Sequence, residues 1–414
     1  MENKITKVLA EEIKDSRGNP TLKVTVFAGG KEGSFSVPSG ASTGAHEAHE
    51  LRDSDGKGVN NAIGKVNNVI APKLFGMDVL NQKEIDRVML ELDGTPNKDN
   101  FGGNSTIGVS IAVAKVAALV SGVEVFEHLR TLAEIKPSRR IPHLYMNLIN
   151  GGKHAKNNLA FQEYFLVPEA ENAEEAVSMG IKIQNSLKEI ITRELGEESL
   201  VKGDEGGYAP ETNDIKKPLE YLAEAIMENN LKEKVKVATD MAASSFYENG
   251  KYEIKNFMHK DGIENEKVTK EELLNIYNLL LTEFNFISVE DPFEEEDFDS
   301  FRELKEKNDG LLVMGDDLTV TNVLLLKKAI EKGSINSMII KPNQIGTLSE
   351  TLETMKLARE NNIELIISHR SGETDDDFIA DLAFAFGTFG LKAGSPLKPE
   401  RMVKYERLIK ISKI

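Results

Sequence analysis

The chain has 414 residues, enough for two domains, and its 40% hydrophobic and 29% charged composition suits a globular protein with a sizeable core. A formal net charge of −17 argues against nucleic acid as the main partner, because phosphate binding needs basic surface, although local cations or bound metal ions in one cleft can still hold an anionic substrate. The lack of cysteine removes disulfides, thiolate nucleophiles and cysteine-ligated zinc or iron–sulfur sites.

The opening segment alternates charged with apolar residues and has no signal-peptide core, so a cytoplasmic location is expected. Strands are predicted over 4–12 and 21–28, the second from the partial alternation of TLKVTVFA. The Gly/Ser loop PSGASTG at 38–44 follows, then helices near 59–74, 82–93 and 104–132. Strands followed by helices indicate an α+β domain. The apolar stretch from Ile107 to Val123 is interrupted by Lys115 and rich in Ala and Gly, so it reads as a buried helix and no membrane span is expected. HEAHE at 46–50 places its histidines at i and i+3 rather than the i and i+4 of a zinc-protease helix, so zinc is not expected there. A boundary falls at 136, where the helical pattern stops, giving domains 1–135 and 136–414.

From IPHLYMNLING onward, strand and helix patterns alternate, with helices near 171–195, 213–230, 269–282, 320–332, 347–362 and 375–388. That alternation predicts a β/α barrel behind a smaller N-terminal α+β domain. Five apolar runs end on ionisable residues: VKVATD at Asp240, FISVED at Glu290 and Asp291, LLVMGDD at Asp316 and Asp317, SMIIK at Lys341, and LIISHR at His369 and Arg370. GLK at Lys392 is a shorter sixth. From Glu290 the steps are 26, 25, 28 and 23 residues, about one strand plus one helix each. Ends of parallel strands share one face of a barrel, so these side chains are expected to converge.

Asp240, Glu290 and Asp316 are the best candidates for a hard cation such as Mg²⁺, which takes oxygen ligands. Each alone would more often be a helix cap; three at successive strand ends favour a metal. Lys341 and Lys392 fit either a base whose affinity for protons is lowered by nearby cations or a structural ion pair within an acidic cluster. Asp204 and Glu205 lie between glycines in VKGDEGGYAP, which suits either a surface turn or close approach to a ligand. His154, Gln162 and Glu163 surround a strand-like segment, where a lone histidine is more often structural. The acidic runs Glu294–Glu296 and Asp375–Asp377 are expected to be solvated loop or helix-start residues.

PSGASTG, INGGKHA with FQEY, GDEGGYAP, SVEDPF, GDDLTVTN, IKPNQIGT and SHRSGET occur together, in order, between DSRGNPT and ERMVKYERLIKI. This set resembles the enolase (phosphopyruvate hydratase) family over essentially the whole chain. The resemblance implies reversible dehydration of 2-phosphoglycerate to phosphoenolpyruvate with two Mg²⁺ per active site, in a homo-oligomer, either dimer or octamer. It implies that Asp240, Glu290 and Asp316 hold the first Mg²⁺ and that Ser39 in the lid helps hold the second. Lys341 would be the base and Glu205 the acid, assisted by Glu163 with Gln162 beside it. Lys392 would pair with the substrate carboxylate. Arg370 and Ser371 would grip the phosphate, with His154 and His369 around the leaving group and phosphate. Ala393 stands where the family often has Thr, and Ser245 where a Glu is usual.

Overall fold

The computed structural model describes residues 3–40, 44, 46–254 and 266–414. The chain divides into two compact units, one of Met1–Arg140, Val320–Leu326 and Ile340–Thr388, the other of Ile141–Thr319, Lys327–Ile339 and Phe389–Ile414.

The first unit begins with an antiparallel meander of β1 (Ile5–Lys14), β2 (Pro20–Ala28) and β3 (Lys31–Ser36). Asp15 nucleates the first turn by accepting the backbone N–H groups of Arg17 and Asn19 at 2.9 and 2.8 Å. The second turn is Gly29–Gly30, with Ala28 paired to Lys31 and φ of 58° and 69°. Two such residues in a two-residue hairpin loop match the right-handed twist of the flanking strands. β3 was not expected from its weak apolar pattern, and the Gly-Gly pair was the signal for it. Leu22, Val24 and Val26 of β2 are fully buried. The helix Gly103–Ser121 packs on this sheet. Its closeness depends on Gly33, where a Cβ would lie 2.8 Å from Val116 Cα and 2.9 Å from the Ala112 carbonyl oxygen. This helix is long and apolar enough to cross a membrane and is mostly buried instead, as its composition led us to expect.

The helical pattern expected over 104–132 is broken: a second helix, Val125–Leu132, starts at a capping box formed by Glu124 and Glu127. Asp86, fully buried in the helix Gln82–Asp93, accepts from the Ser349 N–H at 3.0 Å and hydroxyl at 2.6 Å, and so caps the helix Leu348–Glu360 from outside. In the run Asp375–Asp377, Asp376 is not merely solvated. It takes Lys115 at 2.7 and 2.8 Å and accepts the N–H groups of Ser36 and Phe378.

The barrel strands are β4 (His143–Asn150), β5 (Glu163–Pro168), β6 (Val235–Asp240), β10 (Phe286–Glu290), β11 (Leu312–Gly315), β12 (Ser337–Ile340), β13 (Glu364–Ser368) and β14 (Gly390–Lys392). They close into a barrel in the order β10-β11-β12-β13-β14-β4-β5-β6. Strict strand–helix alternation fails at its start. β5 follows β4 without a crossover helix, so it runs antiparallel to both β4 and β6, and two helices, Ala173–Leu195 and Lys217–Glu228, then precede β6. A small antiparallel sheet, β7 (Tyr247–Glu248), β8 (Lys251–Ile254) and β9 (Glu266–Val268), was not anticipated; it flanks residues 255–265, which lie outside the described residues.

Candidate active site

In the barrel unit, antiparallel β5 begins where parallel β6 ends. The register pairs Glu163 with Asp240, and Asp240 in turn with Glu290 at the end of β10. Three carboxylates from adjacent strands thus share one end of the sheet, and all are buried. Lys392, the last residue of β14, sends its ammonium among them: 2.6 Å to Glu163 Oε2, 3.0 Å to both Glu290 oxygens and 3.3 Å to Asp240 Oδ2. Its burial alone would push the ammonium towards neutrality, but Glu163, Glu290 and Asp240 reverse this and hold it charged well above its ordinary range. Gln162 Nε2 donates to Asp240 Oδ2 at 3.2 Å.

Glu205 comes from the loop between Val201 and Pro210, and its carboxylate accepts from Asn147 Nδ2 at 3.0 Å. His154 Nδ1 lies 3.1 Å from Glu163 Oε1 and 3.6 Å from Glu205 Oε1. Desolvation lowers the proton affinity of His154 against the pull of Glu205, so the imidazole is held neutral. Burial, then the neighbouring Glu205 carboxylate, push the Glu163 carboxyl well up. A carboxyl raised in this way beside a second carboxylate is an arrangement from which an acid can donate. Asn147, in the middle of β4, was not singled out from the sequence.

A second acidic group lies at the ends of β10 and β11. Asp291, with φ of 42°, accepts the Asp316 and Asp317 N–H groups at 2.9 and 2.8 Å. Burial first, then Asp317 and Asp316, push the Asp291 carboxyl well up. Among the described residues, two trios offer ligand atoms within 4.8 Å of one another: His154–Glu163–Glu205 and Asp291–Asp316–Asp317. The expected trio Asp240–Glu290–Asp316 is not one of them. The Asp291–Asp316–Asp317 trio, like the expected one, offers only oxygen donors, as a hard cation takes, whereas the other trio includes the His154 nitrogen. One ammonium touching three buried carboxylates, beside an Asp291 that its acidic neighbours push towards protonation, is a concentration of negative charge that a divalent ion relieves.

The first unit holds the other expected residues. Lys341 follows β12, and its N–H donates to Thr321 Oγ1 at 2.9 Å. His369, Arg370 and Ser371 follow β13 and are buried. Arg370 makes a forked pair with Glu47, Nη1 to Oε2 at 2.9 Å and Nη2 to Oε1 at 3.3 Å, and its Nη1 reaches Asn343 Oδ1 at 3.2 Å. Glu47 is thus what HEAHE contributes here, and sequence reasoning missed it. Ala41–Thr43 of the lid motif lie outside the described residues. Ser39 is buried, its backbone is paired with Gly372, and its hydroxyl donates to Asp15 Oδ2 at 2.9 Å while accepting from Arg17 Nη2 at 3.2 Å. These contacts tie Ser39 to the turn between β1 and β2. Ala393 is fully buried, and Ser245 is exposed in the turn Ala243–Phe246.

The family description "Enolase, N-terminal domain" matches residues 5–129, and "Enolase, C-terminal TIM barrel domain" matches residues 138–413. The chain is 44% identical over 413 residues to the enolase of Methanocaldococcus jannaschii, covering 98% of this chain and 94% of that protein. It is 43% identical over 417 residues to the enolase of Methanopyrus kandleri, covering 99% and 95%. It is 45% identical over 420 residues to enolase B of Dictyostelium discoideum, covering 98% and 94%.

Proposed function

The chain belongs to the enolase family and is a phosphopyruvate hydratase, a carbon–oxygen lyase; on that premise we propose how its residues divide the work of interconverting 2-phosphoglycerate and phosphoenolpyruvate. Lys341 removes the C2 proton. Glu205 protonates the departing C3 hydroxyl, with Glu163 sharing its proton and His154 and Gln162 ordering the surroundings. Lys392 pairs with the substrate carboxylate, and His369, Arg370 and Ser371 hold the phosphate. Asp240, Glu290 and Asp316 are the residues that would hold the first of two Mg²⁺ ions. Magnesium, when bound, supplies the positive charge that stabilises the enolate formed as the weakly acidic α-proton leaves. A Lys base with one or two Mg²⁺ is the handling of such protons already described for enolase-superfamily sites.

The observation that carries this reading is the Glu163–Glu205 pair, with a neutral His154 on one side and the charged Lys392 on the other. A carboxylic acid kept protonated by burial and by a second carboxylate is suited to donate to a poor leaving group. The protein works in the cytoplasm, where glycolysis runs, as a homo-oligomer, dimer or octamer. The test is isotopic. Lys341→Ala abolishes exchange of the C2 proton of 2-phosphoglycerate with solvent, whereas Glu205→Gln blocks dehydration and leaves exchange measurable. Equal loss of exchange in both variants contradicts the assigned roles.

A further inference from the structure

Two consecutive β-branched residues, Val320 and Thr321, have φ of 39° and 56°, and both are fully buried. β-branched side chains strongly disfavour this region, and such backbone persists only where its surroundings hold it. The surroundings of Thr321 do so through three hydrogen bonds. Its carbonyl accepts from Thr354 Oγ1 at 2.9 Å, its hydroxyl donates to Gln344 Oε1 at 2.9 Å, and the hydroxyl oxygen accepts the Lys341 N–H at 2.9 Å. Glycine would relieve the strain at this position but has no hydroxyl to offer.

The connections continue past Gln344. Its carbonyl oxygen accepts the Ala48 N–H at 2.7 Å, and its Nε2 lies 3.4 Å from Glu47 Oε1. Glu47 holds the guanidinium of Arg370, which also reaches Asn343. Thr321 therefore stands at the head of a hydrogen-bonded series that starts at the backbone of Lys341 and ends at Arg370.

We propose that Thr321 is a positioning residue of the reaction: its hydroxyl fixes the backbone from which the Lys341 side chain starts, and the strained φ aims that hydroxyl. The inference rests on the reading of Lys341 as the base. Proton abstraction is sensitive to such placement, since an error of about 1 Å costs roughly a hundredfold in rate. Nothing in this role calls for contact between Thr321 and substrate.

The test compares Thr321→Val with Thr321→Ser in the full-length protein. Valine keeps the shape, the β-branching and the backbone strain but removes the hydroxyl; serine keeps the hydroxyl. In Thr321→Val, kcat and the rate of C2 proton exchange fall together by roughly tenfold to a hundredfold, while KM stays within about threefold because the Glu47–Arg370 pair is untouched. Thr321→Ser restores both rates to within about threefold of the parent. Exchange within twofold of the parent in Thr321→Val overturns the proposal, and so does a serine variant as slow as the valine one. Should Thr321→Val fail to fold, Gln344→Met removes the acceptor that orients the hydroxyl and is expected to slow exchange by roughly threefold to tenfold; unchanged exchange there also overturns it. If Lys341→Ala retains C2 exchange, it is the base assignment that falls, a result distinct from each of these.

Discussion

Replacing Lys392 with methionine removes an ammonium and keeps most of the apolar stem. The ammonium touches Glu163, Glu290 and Asp240 at 2.6, 3.0 and 3.3 Å and lies over the Phe165 ring, 4.9 Å from its centroid. None of the four side chains is more than 5% exposed, so solvent screens these contacts little. At an effective dielectric of about 20, each contact near 3 Å with an ionised carboxylate is worth about 5 kcal/mol of Coulomb attraction, so Glu290 and Asp240 together give about 10. Desolvation of the ammonium and of its partners offsets most of that, and breaking buried ion pairs typically costs about 3–5 kcal/mol. That is the expected loss of unfolding free energy at pH 8 without added metal.

The loss depends on pH in a defined direction. The native Lys392 ammonium has a raised proton affinity, so its contribution is fully present below the unfolded lysine value of about 10.4. Without it, the Glu163 carboxyl, which burial already raises and the Lys392 ammonium lowers, binds a proton more tightly in the native state. The variant is therefore relatively stabilised as pH falls, and the gap narrows towards pH 5. Saturating Mg²⁺ narrows it as well, by supplying positive charge to the same carboxylates. Urea denaturation of parent and variant at pH 5, 6.5 and 8, with and without Mg²⁺, measures all three effects. A loss below about 1 kcal/mol at pH 8, or a gap that widens on acidification, contradicts a stabilising ammonium among these carboxylates.

Other expectations follow from single positions. Gly33→Ala forces a methyl against the Val116 and Ala112 backbone of the helix Gly103–Ser121 and is expected to cost about 1–3 kcal/mol or more, read by thermal or urea unfolding; an unchanged midpoint contradicts the close approach. Asp86 is fully buried, and that burial raises its carboxyl against the hydrogen bonds from Ser349, Ser110 and Gln82. Its contribution to stability is present at low pH and is lost as pH rises from the unfolded value of about 3.9 through the raised native one. The stability of the parent relative to Asp86→Asn should therefore fall between pH 4 and pH 8, and a difference that stays flat or grows contradicts the assignment.

The strand-end residues were legible because the barrel gives spacing a meaning. Asp240, Glu290 and Lys392 end apolar runs, and strand pairing carries them to one end of the sheet. Glu163 escapes that logic, because it begins a strand. It stands opposite Asp240 only because β5 is reversed, and the absence of a helical pattern between β4 and β5 was the available sign of that reversal. Glu205 was reachable through its glycine-flanked motif and not through spacing. Asn147 and Glu47 had no local signal: one lies mid-strand, the other in a charged segment whose partner Arg370 is 323 residues away. Thr321 was hidden for a different reason, since a positive φ at a β-branched residue is a property of tertiary surroundings.

The most direct measurement follows phosphoenolpyruvate absorbance after 2-phosphoglycerate is added to the purified protein, first with Mg²⁺, then with chelator, then with Mg²⁺ restored. Turnover with the metal, its loss on chelation and its return on restoring Mg²⁺ are expected of a metal-dependent phosphopyruvate hydratase. No turnover at saturating Mg²⁺, or turnover indifferent to the chelator, would contradict that assignment.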